Sequence, residues 1–151
     1  MSIEILINKL TDEHINAVAE LEKLCFASPI SENNLRMLYV GGIAKGFVCI
    51  ETKSGDLAAY GGAIVTAGEA QILNIATHQS FRRCGLGRQI VKKLVECALQ
   101  NGAEEISLEV REGNVGARHL YETEGFYEVG RIKNYYTSPK EDALILKKDL
   151  R

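Results

Sequence analysis

The segment Phe81-Arg82-Arg83-Cys84-Gly85-Leu86-Gly87-Arg88 sets two glycines among three arginines. Glycine lacks a Cβ, so the backbone at Gly85 and Gly87 can curl tightly and bring its N–H groups toward one point. An apolar run at residues 70–77 precedes the segment and an amphipathic run at residues 87–100 follows it. That order reads as strand, glycine-rich turn and helix N-terminus. The first N–H groups of a helix have no intrahelical partner, and the helix dipole is positive there. With the arginines added, the expected chemistry is anion binding, of a phosphate or pyrophosphate above all. Two nucleotide signatures are not met. The dinucleotide fingerprint needs glycine where Ile90 stands, and the P-loop needs Lys-Ser or Lys-Thr where Arg88-Gln89 stand. A tight surface turn with solvated arginines also fits the loop taken alone.

Glu109 and Tyr121 have side chains suited to moving protons. Glu109 alternates with Leu108 and Val110 at the end of the strand after the long helix. Ligands bind at that end of strands in open α/β sheets. A solvated strand residue is the plain alternative. Tyr121 recurs with Ala117 and Leu120 at helical spacing, a pattern that by itself describes a packed aromatic. On the strand before the loop, Gln71 cannot act as a base, and Glu69 remains an outside option. His14, His78 and His119 have no metal-site spacing, and no two of Cys25, Cys49, Cys84 and Cys97 lie two to four apart. No metal is expected. Cys25, Cys49 and Cys97 fall in apolar segments and read as core thiols; Cys84 lies in the loop.

The elements that must position these residues follow from periodicity. Ile3, Ile5 and Ile7 alternate in a first strand. Thr11 caps a helix on which Ile15, Val18, Leu21 (or Ala19), Leu24 and Cys25 recur at helical spacing. Residues 26–30 break it, Ser31 caps a short helix to about Tyr39, and Gly41-Gly42 end that one. Residues 47–51 and 57–66 form a hairpin around the turn at 53–56. Residues 70–77 are the next strand. In the helix at 87–100, Ile90, Val91, Leu94, Val95, Ala98 and Leu99 share one face, and Asn101-Gly102 stop it. Ile106, Leu108 and Val110 alternate in a strand made parallel to the earlier one by a right-handed crossover. Asn114 caps a helix to Glu124. Residues 126–132 and 143–147 are two last strands joined by a polar loop at 133–142, which carries Tyr135 and Tyr136.

At 151 residues the chain suits one domain spanning 1–151, with a core large enough to fold unaided. A net charge of -2 gives no reason to expect nucleic-acid binding. No apolar run approaches the ~20 residues of a membrane span. Met1-Ser2-Ile3-Glu4 lacks the basic and long apolar regions of a signal peptide, so a cytoplasmic protein with reduced thiols is expected.

The element order and motifs resemble the GCN5-related N-acetyltransferase (GNAT) superfamily over nearly the whole chain. The centre of the resemblance is Arg83-Cys84-Gly85-Leu86-Gly87-Arg88, similar to that family's pyrophosphate loop Q/R-x-x-G-x-G/A, with Cys84 where arginine or glycine is commoner. Asn74-Ile75-Ala76, Leu108-Glu109-Val110-Arg111, Asn114 through Leu120-Tyr121-Glu122 to Gly125-Phe126, and Asn134-Tyr135-Tyr136 resemble the bacterial RimI subgroup. That subgroup acetylates the N-terminal alanine of a small-subunit ribosomal protein. Ser28-Pro29-Ile30-Ser31 resembles its substrate-side loop, with Ile30 where an aromatic is usual.

The resemblance implies an α/β fold of GNAT type. Its sheet is mixed and mostly antiparallel, with a central splayed parallel strand pair and helices on both faces. It implies acetyl-CoA as cosubstrate, its pyrophosphate held by residues 83–88. Main-chain groups of Ile75, Ala76 and Thr77 would pair with the pantetheine arm, as an added strand pairs with a sheet edge, and Asn114 would lie along the same arm. Glu109 would be the base and Tyr121 the acid. The acceptor is expected to be a protein N-terminus, with a small amine, a lysine side chain, or a coenzyme-binding role without catalysis as alternatives.

Overall fold

Alternating and helical patterns in this chain build seven strands and four α-helices in the computed structural model, which describes residues 3–151. In chain order these are β1 (Ile5–Lys9), α1 (Ile15–Cys25), α2 (Glu32–Leu35), β2 (Lys45–Glu51), β3 (Leu57–Val65), β4 (Gly68–Thr77), α3 (Leu86–Gln100), β5 (Ala103–Arg111), α4 (Val115–Thr123), β6 (Tyr127–Thr137) and β7 (Lys140–Asp149). The strand order is β1-β2-β3-β4-β5-β7-β6. The recorded pairings are antiparallel except β4 with β5, which run parallel from Gly68↔Ala103 to Gln71↔Ser107. This is a mixed, mostly antiparallel α/β fold. Residues Met1 and Ser2 of the expected N-terminal stretch lie outside the described residues.

The chain divides into two compact units, residues up to Ile64 with Leu73–Leu94, and Val65–Ile72 with Val95–Arg151. The first unit packs Ile15, Val18, Leu21, Leu35, Val48 and Tyr60 into one core. Removing any one of these side chains from water stabilises the fold by about 1.5–3 kcal/mol. The inward stripe of α1 differs from the expected one. Leu24 is 70% exposed, while Glu22 is fully buried. The reason is helical geometry: Ile15, Val18 and Glu22 stand at i, i+3 and i+7, on one face. After α2 the chain makes one π-helical turn over Arg36–Val40 before Gly41. Ser31 caps α2 as expected, its Oγ accepting from the Asn34 N–H at 3.2 Å.

Two close approaches in this unit require glycine. A Cβ at Gly61 would collide with Ile90 Cγ2 and stand 3.1 Å from Ile75 Cγ1. A Cβ at Gly62 would collide with the Tyr39 hydroxyl. These glycines let α3 and Tyr39 lie against β3. On α3 itself, Ile90, Val91 and Leu94 are fully buried, but Leu99 is 48% exposed rather than part of the apolar face, since the helix ends one residue later at Gln100.

In the second unit β5 pairs with β7 from Glu105↔Asp149 to Arg111↔Ala143, and β7 pairs with β6. Ile106, Leu108, Val110, Leu144 and Leu146 turn inward. The polar loop expected at 133–142 is instead the far half of a long hairpin. The two strands pair up to Thr137↔Lys140, with an irregularity between Ile132 and Tyr136. Polar composition hid it: a strand exposed on both faces lacks the apolar alternation that marks one. Asn134, at φ 54°, takes the left-handed turn that asparagine tolerates, and its N–H donates to Asp142 Oδ1 at 2.9 Å.

Candidate active site

The glycine-rich loop belongs to the first unit. The left-handed positions are Arg83 (φ 65°) and Gly85 (φ 76°). Gly87, expected to share in the curl, instead lies inside the first turn of α3, and the Gln89 N–H already donates to the Gly85 carbonyl at 3.2 Å. Arg82 to Gly85, including Cys84, are exposed, and a Cβ at Gly85 would meet nothing within 4 Å. Leu86 is 2% exposed; its side chain anchors the loop, and only its backbone remains for a ligand. Arg82 Nε donates to the Thr77 carbonyl at 3.3 Å, tying the loop to the end of β4. On that strand Ala76 is buried and Ile75 and Thr77 are half-buried. Residues 79–95 contain no Asp or Glu and five Lys or Arg. A pyrophosphate therefore suits this loop: an open left-handed turn, a helix N-terminus behind it and no like charge along it.

Beneath this strand lies a group that spacing arguments passed over. The buried Glu22 carboxylate accepts from the Tyr60 hydroxyl, from Asn74 Nδ2 at 2.8 Å and from the Ile30 N–H at 2.8 Å. The signal for it was present, since a glutamate on the apolar stripe of a helix is buried only when paired. Burial, the Tyr39 ring and the Glu22 carboxylate push the Tyr60 phenol far above its usual range. Burial likewise raises Tyr39, whose hydroxyl has no hydrogen-bond partner among the described residues.

The second unit carries the candidate proton-transfer groups. Glu109 is half-buried on β5, opposite Ile145 of β7. Tyr135 and Tyr136 both face its charge. The Tyr135 phenol is held above its usual range first by a side-chain hydrogen bond to Glu109, and Tyr136 is raised by burial and then by the same carboxylate. Their rings meet edge to face, centroids 5.0 Å apart. Tyr121 is 8% exposed on α4 and packs edge to face on Phe126 at 5.6 Å. Burial, then Tyr136, pushes its phenol up to about 12. Asn114 caps α4, its Oδ1 accepting from the Ala117 N–H at 3.2 Å. Its carboxamide oxygen is thus engaged, leaving the NH2 for a ligand.

Arg111, two residues beyond Glu109, braces the hairpin tip. It donates to the Ser138 and Pro139 carbonyls at 3.2 and 2.9 Å and pairs with Glu141 at 3.2 Å. Glu141 Oε2 in turn accepts from the Gly113 N–H at 2.6 Å. Asp142 is held below the usual carboxylate range by the Asn134 N–H and by Arg131. Among the described residues no His, Cys, Asp or Glu side chains group to hold a metal, and no helix is long and apolar enough to cross a membrane.

The family model of the acetyltransferase (GNAT) family matches residues 15–126, and the chain belongs to that family. It is an acetyl-CoA-dependent N-acetyltransferase. A Bacillus subtilis (strain 168) protein named as a candidate ribosomal protein bS18-alanine N-acetyltransferase is 34% identical over 97% of this chain and 96% of its own. The Escherichia coli (strain K12) ribosomal protein bS18-alanine N-acetyltransferase is 32% identical over 93% and 94%. The crystal structure of the Escherichia coli ribosomal-protein-S18-alanine N-acetyltransferase superposes with TM-score 0.87 at 32% identity, covering 97% of this chain and 94% of that one. The NatC complex bound to Gag peptide and CoA shares the fold at TM-score 0.87 and 21% identity, over 98% and 99% of the two chains.

Proposed function

We propose that this enzyme acetylates the α-amine of an N-terminal alanine on a small-subunit ribosomal protein of the bS18 kind, in the cytoplasm, as one catalytic domain spanning residues 1–151. Residues 83–88 would hold the coenzyme's pyrophosphate, the backbone of residues 75–77 its pantetheine arm, and the Asn114 NH2 would serve that arm. The reading gives no role to nucleic acid, membrane or metal. The observation that carries it is the half-buried Glu109 facing two tyrosine side chains from one strand of a braced hairpin.

Acetyl-CoA supplies the activated acyl group as a thioester. The protein must deprotonate the acceptor, orient it and stabilise the departing sulfur. At pH 7 an α-amine of pKa ~7.7–8.0 costs roughly 1–1.4 kcal/mol to deprotonate, against about 4.6 kcal/mol for a lysine of pKa ~10.4. A glutamate suffices for the first, directly or through a water. The Glu109 carboxylate, whose charge raises the Tyr135 and Tyr136 phenols, has lone pairs for the amine.

Tyr121 acts as a hydrogen-bond donor to the developing thiolate rather than as a full proton donor. With its phenol near 12 and a thiol near ~8.5, complete transfer is uphill by about 5 kcal/mol. A hydrogen bond to a charged acceptor still contributes about 1.5–3 kcal/mol.

The test compares peptides with free and blocked N-terminal alanine, both carrying internal lysines. Acetylation of the free peptide alone is expected, with the product mass on its first residue. Turnover of the blocked peptide at its lysines would overturn the assignment of acceptor.

A further inference from the structure

Glu22 is the one fully buried charged side chain among the described residues, and no step of the chemistry above uses it. A buried carboxylate persists only when its acceptor sites are filled. Here the partners come from three separate stretches of the first unit. Ile30 N–H belongs to the segment between α1 and α2, Tyr60 to β3, and Asn74 to β4, one residue before the Ile75–Thr77 backbone. The same helix reaches β4 a second time, one turn later, where Cys25 Sγ donates to the Thr77 carbonyl at 3.6 Å. The last turn of α1 therefore brackets residues 74–77 at both ends. Two bonds carry that bracket on to the 26–31 segment: the Glu22 carbonyl accepts from the Phe26 N–H at 2.9 Å as the helix ends, and the Glu22 side chain accepts from the Ile30 N–H. The two oxygens divide the work: Oε1 takes the Ile30 N–H, and Oε2 takes Tyr60 and Asn74.

We infer that Glu22 is a positioning residue that clamps the 26–31 segment to the β4 backbone at residues 74–77, fixing the approach of the acceptor relative to the thioester strand. The inference rests on the proposed use of residues 75–77 for the pantetheine arm. Phe26 and Ile30 of this segment also pack against the core of the first unit, and the Glu22 carboxylate adds a bond that links the segment directly to the partners it shares with β4. A glutamate placed there serves both sides at once, because a carboxylate is acceptor-only and bifunctional. A glutamine retains one oxygen for Ile30, and Asn74 can turn its amide to present oxygen to the new NH2.

The experiment uses the whole chain with acetyl-CoA and a peptide with a free N-terminal alanine. In the wild-type protein, the Ile30 amide is expected to exchange with solvent at least a hundredfold more slowly than an unprotected amide. Glu22→Ala is expected to abolish that protection and raise the acceptor KM about tenfold, with the acetyl-CoA Kd within threefold of wild type. Glu22→Gln is expected to restore the protection and the acceptor KM to within threefold. A purely structural role predicts instead that acceptor KM and acetyl-CoA Kd worsen together with the melting temperature; that outcome overturns the inference, as does an unchanged acceptor KM in a folded Glu22→Ala protein. Should Glu22→Ala fail to fold, rapid exchange at the wild-type Ile30 amide would still overturn it, and slow exchange with normal Glu22→Gln kinetics would support it. Failure of the functional reading looks different, since the wild-type protein would then leave the peptide unacetylated whatever the state of Ile30.

Discussion

The Arg111 guanidinium carbon stands 4.2 Å from the centroid of the Tyr136 ring. The two residues belong to β5 and β6, which are not neighbours in the sheet, since β7 runs between them. Arg111 spans that gap by gripping the Ser138 and Pro139 carbonyls and the Glu141 carboxylate. It thereby holds the tip of the hairpin, and with it Tyr135 and Tyr136, over the strand that carries Glu109.

Arg111→Ala should loosen this arrangement in two measurable ways. The side chain is about a quarter exposed, as is Glu141, so its charge-assisted bonds are only partly screened. Removing them should lower unfolding free energy in urea by about 1–3 kcal/mol. Acceptor KM should rise several-fold while acetyl-CoA affinity holds. Arg111→Lys should recover little, because a lysine ammonium lacks the planar fork that reaches two carbonyls and a carboxylate while stacking on a ring. Full recovery by lysine would show that charge alone is what the site requires.

Glu109→Gln should lower kcat/KM for the peptide by about 10²–10⁴-fold, the range of general base catalysis. The amide matches the carboxylate in shape and Arg111 still grips the hairpin tip, so the hairpin should keep its place and acetyl-CoA Kd should stay within twofold. Isothermal titration of the coenzyme beside steady-state kinetics separates the two effects. A rate within threefold of wild type would move the base elsewhere, with Glu69 the next residue to replace.

Much of this was legible in the chain. Strict alternation at Ile106, Leu108 and Val110 marked β5, and the amphipathic run at 87–100 marked α3, which begins one residue earlier at Leu86, because each buries one face. The hairpin tip was not legible, since it is held by polar bonds from Arg111 to Pro139 and from Asn134 to Asp142 that have no sequence period. The Glu22 cluster escaped for a related reason. Its partners lie 8, 38 and 52 residues away, and only folding brings them together.

The two loop glycines should fail in different ways. Gly85 holds φ 76°, so Gly85→Ala places a side chain in the left-handed region at a cost of about 1–2 kcal/mol. It should lower the melting temperature through this strain alone, since no protein atom lies within 4 Å of a Cβ there. Gly87 is helical, so Gly87→Glu carries no such strain and gains helix propensity. It sets a carboxylate at the helix N-terminus where the pyrophosphate is proposed to bind. Acetyl-CoA affinity should fall at least a hundredfold with the melting temperature preserved, as followed by calorimetry on the same samples. Unaltered affinity in Gly87→Glu would remove the pyrophosphate from this loop.

Tyr121→Phe tests a hydroxyl without disturbing a ring, since the edge-to-face contact with Phe126 survives. Two readouts should diverge. At neutral pH, kcat should drop about 10–100-fold, the worth of a hydrogen bond to a developing thiolate, with stability little changed. Above pH 9 the variant should instead outlast the wild type. Folding raises the Tyr121 phenol from 10.0 to about 12, so the fold favours its neutral form. That preference stabilises the protein in full below pH ~10. It is lost as pH rises toward 12, because the unfolded chain ionises there while the folded one does not. Between pH 9 and 11 the wild type should therefore lose roughly 1 kcal/mol more than Tyr121→Phe in urea unfolding. Tyr39 and Tyr60 are raised in the same direction and remain in both proteins, so the difference between the two curves isolates Tyr121. Parallel alkaline curves would mean that its phenol reaches water, and a kcat equal to wild type would leave the sulfur without this donor.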